Sequence, residues 1–376
     1  MLRLVFPVAF LAALNPALLA QDAKKEPSLA PQKEANLPPK KEASVPLKKE
    51  ASLSPALQVA LQAAEKGDFA TALKLLKAEA EKGNGEAANA IGELKMGGKA
   101  GEATPAEALT WFQRGADNGY AAAHANIARL LAVGAPGVAK DEERAKFHLQ
   151  QAAEGGFAPA QVQLGRMLES GVDLLSREPN WKEPRGWFEK AAEQGNPEAQ
   201  LAMVRYLDEG LGGSRDSVRA SELCFAAARA GSVLAMNEMG VRYQKGLGLR
   251  QDNVAAVGWF TLASQHGLPA AMVNLGNCYE RANGLIQNFN KAGEYYAAAA
   301  KANHPVAQLL LGQMFEDGRG TEANLIYAYV NYHRAAAGGL KDAEAKRDEV
   351  RKRLTPAQVT AAEKLIAGNV EEGAKK

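Results

Sequence analysis

The sequence predicts an all-α protein, an α-solenoid in which antiparallel helix pairs stack into a right-handed superhelix. The first of three observations is a repeat: Gly276 in AMVNLGNCY stands 36 residues after Gly240 and 36 before Gly312. Further copies of the same motif centre on Gly92, Ala128, Gly165 and Val204. Self-similarity at a period of about 20–50 residues is typical of stacked-repeat architectures, in which each unit contacts its neighbours.

The second observation is the spacing of apolar residues around this central residue, which we call the anchor. Five residues before the anchor, every copy carries alanine. Apolar residues also stand one position before it and, in all copies but the first, three positions after it. Steps of four residues place these side chains on one face of a helix, whereas a half-buried strand would alternate at every second residue. Each anchor motif is therefore predicted to form the first helix of a pair.

The third observation is a set of matching start and stop signals around each predicted second helix. Each helix starts at a residue whose side-chain oxygen can accept hydrogen bonds from the free amides of the first turn. These predicted N-caps are Asp68, Thr104, Asp141, Asn180, Asp216, Asp252, Asn288 and Asn324. Each helix ends before a residue that tolerates the left-handed conformation. These stop residues are Gly83, Gly119, Gly156, Gly195, Gly231, Gly267, Asn303 and Gly339.

Aromatic residues recur inside the second helices. Trp111, Trp187 and Trp259 share one register, and each is followed by phenylalanine. An aromatic stripe at helical spacing predicts core packing. The fourth tryptophan, Trp181, lies in the irregular connection 170–186, which is either a local ornament or a recognition loop.

These motifs together carry a family resemblance. Each unit combines the pattern A-x-x-x-L-G-x-x-Y, a G-x-G loop, a capping Asp or Asn, A-x-x-W-F/Y and A-A-x-x-G, with local departures. This combination resembles the Sel-one-like repeat (SLR) family, a relative of tetratricopeptide repeats. The chain departs from the pattern at the anchors Ala128 and Val204, and at His148, which stands where other units have tryptophan. The resemblance covers seven predicted units: 84–119, 120–156, 157–195, 196–231, 232–267, 268–303 and 304–339.

Shorter segments flank the predicted units. Residues 55–83 resemble a tetratricopeptide hairpin with its tight turn at Gly67. In 340–376, the positions that are apolar elsewhere hold Arg347 and Arg351. A charged face there fits a terminal helix with no further neighbour, so this region is predicted to form capping helices and a polar tail.

The front of the chain predicts export, to the periplasm or out of the cell. Residues 1–20 combine Arg3, a short apolar run and a small-residue end at Ala20, as in a cleaved signal peptide, with an uncleaved membrane anchor as the alternative. No membrane span is expected after cleavage. Residues 21–54 are rich in Lys, Glu and Pro, with KKEASVPL followed directly by KKEASLSP. This composition predicts a disordered linker, either a passive spacer or a weakly basic arm.

Composition and motifs point away from catalysis. The net charge of +2 gives no attraction to nucleic acid. The two cysteines, Cys224 and Cys278, lie two units apart and are predicted to be unpaired and buried, because a disulfide needs Cα atoms within about 7 Å. The five histidines form no zinc-type spacing, and no nucleophile elbow or phosphate-binding loop occurs. We therefore predict no catalytic residue, metal or cofactor.

A polar row on the first helices is the candidate binding site. If the apolar positions face inward, the residues two before and one after the anchor face outward. In tetratricopeptide-type solenoids the first helices line the concave surface, so these outward residues would lie in the groove. Arg129, Arg166 and Arg205 fall in consecutive units, and guanidinium groups hold carboxylates bidentately. The row predicts docking of an acidic or extended peptide, with an ordinary solvated face as the alternative. Its members are Asn126, Arg129, Gln163, Arg166, Arg205, Glu238, Asn274, Asn277 and Gln313.

The SLR resemblance implies scaffolding of envelope, secretion or host-contact assemblies. The leading prediction is an exported, non-catalytic adaptor whose groove binds a protein or peptide. A binder of cell-wall glycan or exopolysaccharide is the alternative, and it would show exposed aromatic platforms in the groove. A hydrolase comes third: cysteine-rich SLR proteins linked to β-lactam binding have a cysteine pair in each unit, which this chain lacks.

Overall fold

The computed structural model describes residues 54–374 apart from 100, 103 and 172–179. This part of the chain forms eighteen helices. They are α1 (Pro55–Glu65), α2 (Phe69–Glu81), α3 (Gly85–Met96), α4 (Pro105–Asp117), α5 (Ala121–Val133), α6 (Glu142–Glu154), α7 (Ala158–Ser170), α8 (Lys182–Glu193), α9 (Pro197–Glu209), α10 (Ser217–Arg229), α11 (Val233–Lys245), α12 (Asn253–Gln265), α13 (Pro269–Arg281), α14 (Phe289–Lys301), α15 (Pro305–Asp317), α16 (Leu325–Ala337), α17 (Lys341–Arg353) and α18 (Pro356–Ala374).

The helices pack as consecutive antiparallel pairs, and each pair packs against the next. Odd-numbered helices are the first helices of the pairs and even-numbered helices the second. The described residues form no strand, only an isolated bridge between Ala135 and Val138. The predicted α-solenoid is therefore confirmed. The predicted signal peptide 1–20, the linker 21–54 except Ser54, and residues 172–179 of the connection 170–186 lie outside the described residues.

Most of the predicted start signals act as predicted. The side chains of Asp68, Asp141, Asp216, Asp252, Asn288 and Asn324 accept hydrogen bonds from backbone amides of the first turn. Thr104 is the N-cap residue of α4, as predicted, but its hydroxyl bonds to Glu107 and caps no amide. One assignment is wrong: Asn180 lies one residue too early, because α8 starts at Lys182 with Trp181 as its N-cap.

All eight predicted stop residues lie in the left-handed region, with φ between 57° and 92°. Glycine adopts this conformation without strain, since it has no β-carbon. The matching position after the first helices holds Gly210, Gly246 and Gly318, but in the sixth unit it holds Ala282, with φ of 57°.

Replacing Ala282 with glycine is therefore expected to raise the free energy of unfolding by about 0.5–1 kcal/mol. The change removes the steric penalty that alanine has in this conformation. The greater conformational entropy of glycine in the unfolded chain offsets only part of that gain. Urea unfolding followed by circular dichroism measures the difference. Ala302, the C-cap of α14 with φ of −82°, is the control: Ala302→Gly should give no gain, and an equal gain at both sites would contradict the explanation.

The anchor glycines make room for an aromatic ring of the second helix in the same unit. A β-carbon built on Gly240 would lie 2.5 Å from the ring of Phe260, and one built on Gly276 would lie 2.5 Å from the ring of Tyr296. The anchors Gly92, Gly165 and Gly312 face Phe112, Phe188 and Tyr332 in the same way. All five rings are almost fully buried. An anchor of glycine therefore allows a large ring to fill the space between the two helices.

The two units without an anchor glycine carry other residues in the ring register. Val204 corresponds to Cys224, and Ala128 corresponds to His148. The expected match of His148 with the tryptophans is wrong: Phe147 holds that register and lies exposed, whereas His148 is buried. A larger anchor thus goes with a smaller or more polar partner, as close packing of the interior requires.

Both cysteines are free and buried, as predicted. Burial raises the pKa of the Cys224 thiol to about 12 and that of the Cys278 thiol to about 11. Because the thiolate is the reactive form, both side chains are inert packing groups at neutral pH. Among the described helices, none has the length and apolar composition needed to cross a membrane.

Candidate functional site

All nine residues of the predicted polar row lie on first helices, from α5 to α15. The three arginines Arg129, Arg166 and Arg205 are exposed, and the other six side chains are partly buried. Seven of the nine fall into three groups with different surroundings, and Gln163 and Gln313 lie half-buried on α7 and α15 outside these groups.

The arginines are only partly available to a ligand. A guanidinium nitrogen of Arg166 lies 2.5 Å from a carboxylate oxygen of Glu198 in the next first helix. Arg205 forms an ion pair with Glu169 of the preceding first helix. Arg129 donates to the side-chain oxygen of Asn126 at 3.3 Å. Two of the three predicted arginines are therefore neutralised by glutamates that the sequence analysis did not include.

Two of the three asparagines join neighbouring first helices, and the third contacts the second helix of its own unit. Asn126 Nδ2 donates to Asn89 Oδ1 at 2.8 Å, and Asn274 Nδ2 donates to Asn237 Oδ1 at 2.9 Å. Asn277 accepts from the buried hydroxyl of Tyr296 at 2.7 Å. These side chains stabilise contacts within the stack, and Asn277 does not belong to an open binding face.

Glu238 belongs to a buried charge network between the fourth and fifth units. Arg242, fully buried, holds both carboxylate oxygens of Asp208, at 2.6 and 3.1 Å, and donates to Ser221 Oγ at 2.7 Å. Glu238 lies 3.6 Å from the same guanidinium. Burial raises the pKa of Glu238, and the charge of Arg242 opposes that shift. This network holds the array together, so Glu238 is not available as a ligand group.

A recurring acidic residue four positions after the anchor links successive units. Glu169 pairs with Arg205, Asp208 with Arg242, Glu280 with Arg319 and Glu316 with Arg353. Three of these carboxylates also accept hydrogen bonds from tyrosine hydroxyls: those of Tyr206, Tyr296 and Tyr332. The recurrence of Asp or Glu at one register in four units was the sequence signal that could have revealed this row.

An open cleft of about 740 Å³ lies over α7, α9 and α11. It brings Arg166 and Arg205 together, while Arg129 lies outside it. Its apolar lining includes Leu201 and Leu234, and Leu234 is 59% exposed. The volume falls within the range of about 300–1,000 Å³ common for ligand sites. A surface that combines ion-paired arginines with one exposed and one half-buried leucine can hold a ligand that has both charged and apolar groups. Sequence reasoning missed Glu198, Leu201 and Leu234.

A histidine pair joins the two helices of the second unit. His124 Nδ1 on α5 lies 2.9 Å from His148 Nδ1 on α6. Burial lowers the pKa of both rings, and the neighbouring His124 and Arg144 charges lower that of His148 further, whereas Asp117 opposes both shifts. The unfolded chain therefore binds more protons than the folded one below the ordinary histidine value of 6.5, so stability falls as the pH drops through that value.

Replacing His124 with glutamine, the residue at the same register in the next unit, is expected to make the fall in Tm between pH 7.5 and pH 5 smaller. Glutamine keeps a hydrogen-bonding side chain and removes one titrating group. Thermal melts followed by circular dichroism over this range measure the effect. The control His266→Gln, at an exposed site, should leave the pH profile unchanged. An unchanged profile in His124→Gln would contradict a role for the pair.

Within the described ranges, no three His, Cys, Asp or Glu side chains are placed to hold a metal ion. The histidine pair is thus a two-residue contact between helices.

The helices pack as pairs in register, an acidic row joins successive units, and an open cleft lies on the first helices. Together these features define an α-solenoid repeat protein. The Sel1 repeat family model matches seven consecutive stretches: 85–120, 121–157, 158–196, 197–232, 233–268, 269–304 and 305–340. The chain belongs to the Sel1 repeat family.

Solved structures with the same architecture agree with this assignment. A protective antigen of uropathogenic Escherichia coli with an SLR fold is 26% identical, with a TM-score of 0.69, over 84% of this chain and 71% of the antigen. A Sel1 repeat protein from Oxalobacter formigenes is 25% identical, with a TM-score of 0.55, over 78% of this chain and 85% of that protein. Among curated proteins, none matches the sequence.

Proposed function

We propose that this protein is an exported, non-catalytic adaptor whose first-helix groove binds a protein or peptide partner in an envelope-associated assembly. The observation that carries the proposal is the cleft over α7, α9 and α11, whose lining combines the exposed Leu234 with the ion-paired Arg166 and Arg205. Sel1 repeats typically serve as protein-interaction scaffolds, which supports this use of the surface. Export to the periplasm or beyond is supported by the composition of residues 1–20.

The lining of the cleft favours a peptide over a glycan. Sugar rings bind to exposed aromatic platforms, and among the described residues that line the cleft the sole aromatic is Phe188, which is 1% exposed. Aliphatic side chains beside charged ones instead match the apolar and charged side chains of a polypeptide.

Photo-crosslinking tests the proposal. The purified protein, with p-benzoylphenylalanine in place of Leu234, is mixed with an envelope extract of the producing cells and irradiated. The control carries the same group in place of Val254, which is equally exposed but lies on the second helix α12. We expect one product, identified by mass spectrometry, that forms from position 234 alone and disappears when Leu201 is replaced with glutamate. Identical products from both positions, or none from position 234, would refute the groove as the binding surface.

A further inference from the structure

The cleft lies at a break in a row of polar side chains on the first helices. The residue two positions before the anchor is polar in the second, third, fifth and sixth units, but in the fourth unit it is Ala202, which lines the cleft. On either side of the break, amides close the row: Asn126 donates to Asn89 of the preceding unit, and Asn274 donates to Asn237. Alanine lacks the amide group of these side chains, so the first-helix surface has room for another group at Ala202.

Apolar side chains surround this room. Leu201 stands three residues before the anchor, where the first and fifth units have the accepting asparagines of the row. It is half-buried in the cleft, and Leu234, at the start of the next first helix, is 59% exposed there. Removing an apolar group from water against these side chains is favourable, whereas a polar group would lose its bonds to water without replacement. The break therefore fits an apolar side chain.

Arg166 is the freer of the two arginines in the cleft. Its side chain is 60% exposed, and its partner Glu198 is 54% exposed. Arg205, by contrast, pairs with the half-buried Glu169 and lies over the ring of Tyr206. A guanidinium has five N–H donors, of which a bidentate carboxylate uses two. Arg166 can therefore bind a ligand carboxylate beside Glu198.

We propose that the cleft binds a polypeptide segment in which an apolar residue lies close to an aspartate or glutamate, and that Ala202 determines this specificity. The apolar side chain of the segment packs on Ala202, Leu201 and Leu234, and the acidic side chain pairs with Arg166. Segments with a polar or basic residue in place of either group bind less tightly, because a covered polar group or a second cation is left without a partner. The inference rests on the proposed function and names the class of partner that the adaptor takes.

Filling the space at Ala202 tests its role. Ala202→Gln introduces the side chain that the third unit carries at this register, Gln163, and should exclude the apolar residue of the ligand. The matched control is Ala90→Gln. Ala90 has the same register in the first unit and is half-buried like Ala202, but it does not line the cleft. Because both sites lie inside first helices, the two substitutions carry the same small cost in helix propensity.

Selection from a library of random dodecapeptides displayed on phage identifies the class of ligand. The purified full chain is immobilised, and the bound phage are sequenced after successive rounds. We expect enriched sequences to carry Leu, Ile, Val or Met within a few residues of Asp or Glu. The same selection on the Ala202→Gln variant should lose this pattern, and the Ala90→Gln variant should keep it. Enrichment of sequences that lack either group, or no enrichment, would overturn the proposed class of ligand.

The most enriched peptide, labelled with fluorescein, gives affinities by anisotropy. Ala202→Gln should weaken its binding at least about tenfold, because the glutamine side chain occupies the space that the apolar residue needs. Ala90→Gln should leave the affinity unchanged. Equal losses in these two variants would overturn the role of Ala202.

Exposed positions give a second test that does not depend on how the helices tolerate a larger side chain. Leu234→Ser should weaken binding, and Arg166→Gln should weaken it at least about fivefold through loss of the charged contact. The controls are Val254→Ser, at a site that is as exposed as Leu234, and Arg219→Gln, at an exposed, ion-paired arginine on α10. Equal effects at the cleft and control positions would overturn the assignment to the cleft.

The phage selection and the photo-crosslinking experiment fail separately. If no sequence pattern is enriched while a crosslinked product forms from position 234, the class of ligand is wrong and the adaptor function stands. If the pattern and its loss in Ala202→Gln are found but position 234 gives no product, the cleft has the proposed specificity and the adaptor function is refuted. Failure of both experiments would overturn both.

Discussion

Replacing Arg242 with alanine is expected to lower the free energy of unfolding by about 3–5 kcal/mol. The guanidinium is fully buried and satisfies Asp208, Ser221 Oγ and the Ser217 carbonyl at distances between 2.6 and 3.1 Å. Alanine leaves a cavity and removes the cation that compensates Asp208 and Glu238. Urea unfolding at pH 7 measures the loss.

Arg219→Ala is the matched control for Arg242. Arg219 also contacts a carboxylate of a neighbouring helix, Glu189, at 3.6 Å, but both side chains are exposed. Exposed pairs contribute about 0–1 kcal/mol, so the control should change stability little. Similar losses in the two variants would show that burial of Arg242 is not the source of its effect.

Replacing Gly240 with valine is expected to destabilise the array by about 1–3 kcal/mol, because a β-carbon at this position would lie 2.5 Å from the Phe260 ring. The fourth unit already combines valine with cysteine in these two registers, as Val204 and Cys224. Phe260→Cys alone should cost about 3 kcal/mol through the cavity it leaves. The double variant should lose at least about 1 kcal/mol less stability than the sum of the losses in the two single variants.

Urea unfolding of the wild type, the two single variants and the double variant gives the coupling energy between the two positions directly. The control is Gly258→Val on α12, a glycine with no heavy atom within 4 Å of its added β-carbon. It should show no coupling to Phe260→Cys. Strict additivity between Gly240→Val and Phe260→Cys would contradict the complementarity of anchor and ring.

Most of the fold could be predicted from the sequence because its signals are local and recur in every unit. Left-handed stops such as Gly231 depend on the conformational range of one residue, and N-caps such as Asp252 depend on bonds within one turn. Asn180 was misassigned in the connection 170–186, where the regular spacing between first and second helices breaks down.

The candidate site was harder to predict because its chemistry depends on contacts between units. Helical periodicity identified Arg166 and Arg205 as outward-facing, and both line the cleft. It could not reveal that Glu198 and Glu169 neutralise them, since that depends on how closely neighbouring first helices approach. Arg242 was overlooked because a charged residue two positions after the anchor falls in the apolar register.

The acidic residues after the anchors each pair with an arginine of the next hairpin. This arrangement affects how the number of repeats can change in evolution. In the described part of the chain, helices pack on adjacent pairs, and the ion pairs of this row join one pair to the next. Duplication or loss of one whole hairpin in the gene would therefore add or remove the ion-pairing residues together with the hairpin. Evolution can therefore lengthen or shorten the helical array without redesigning its interior.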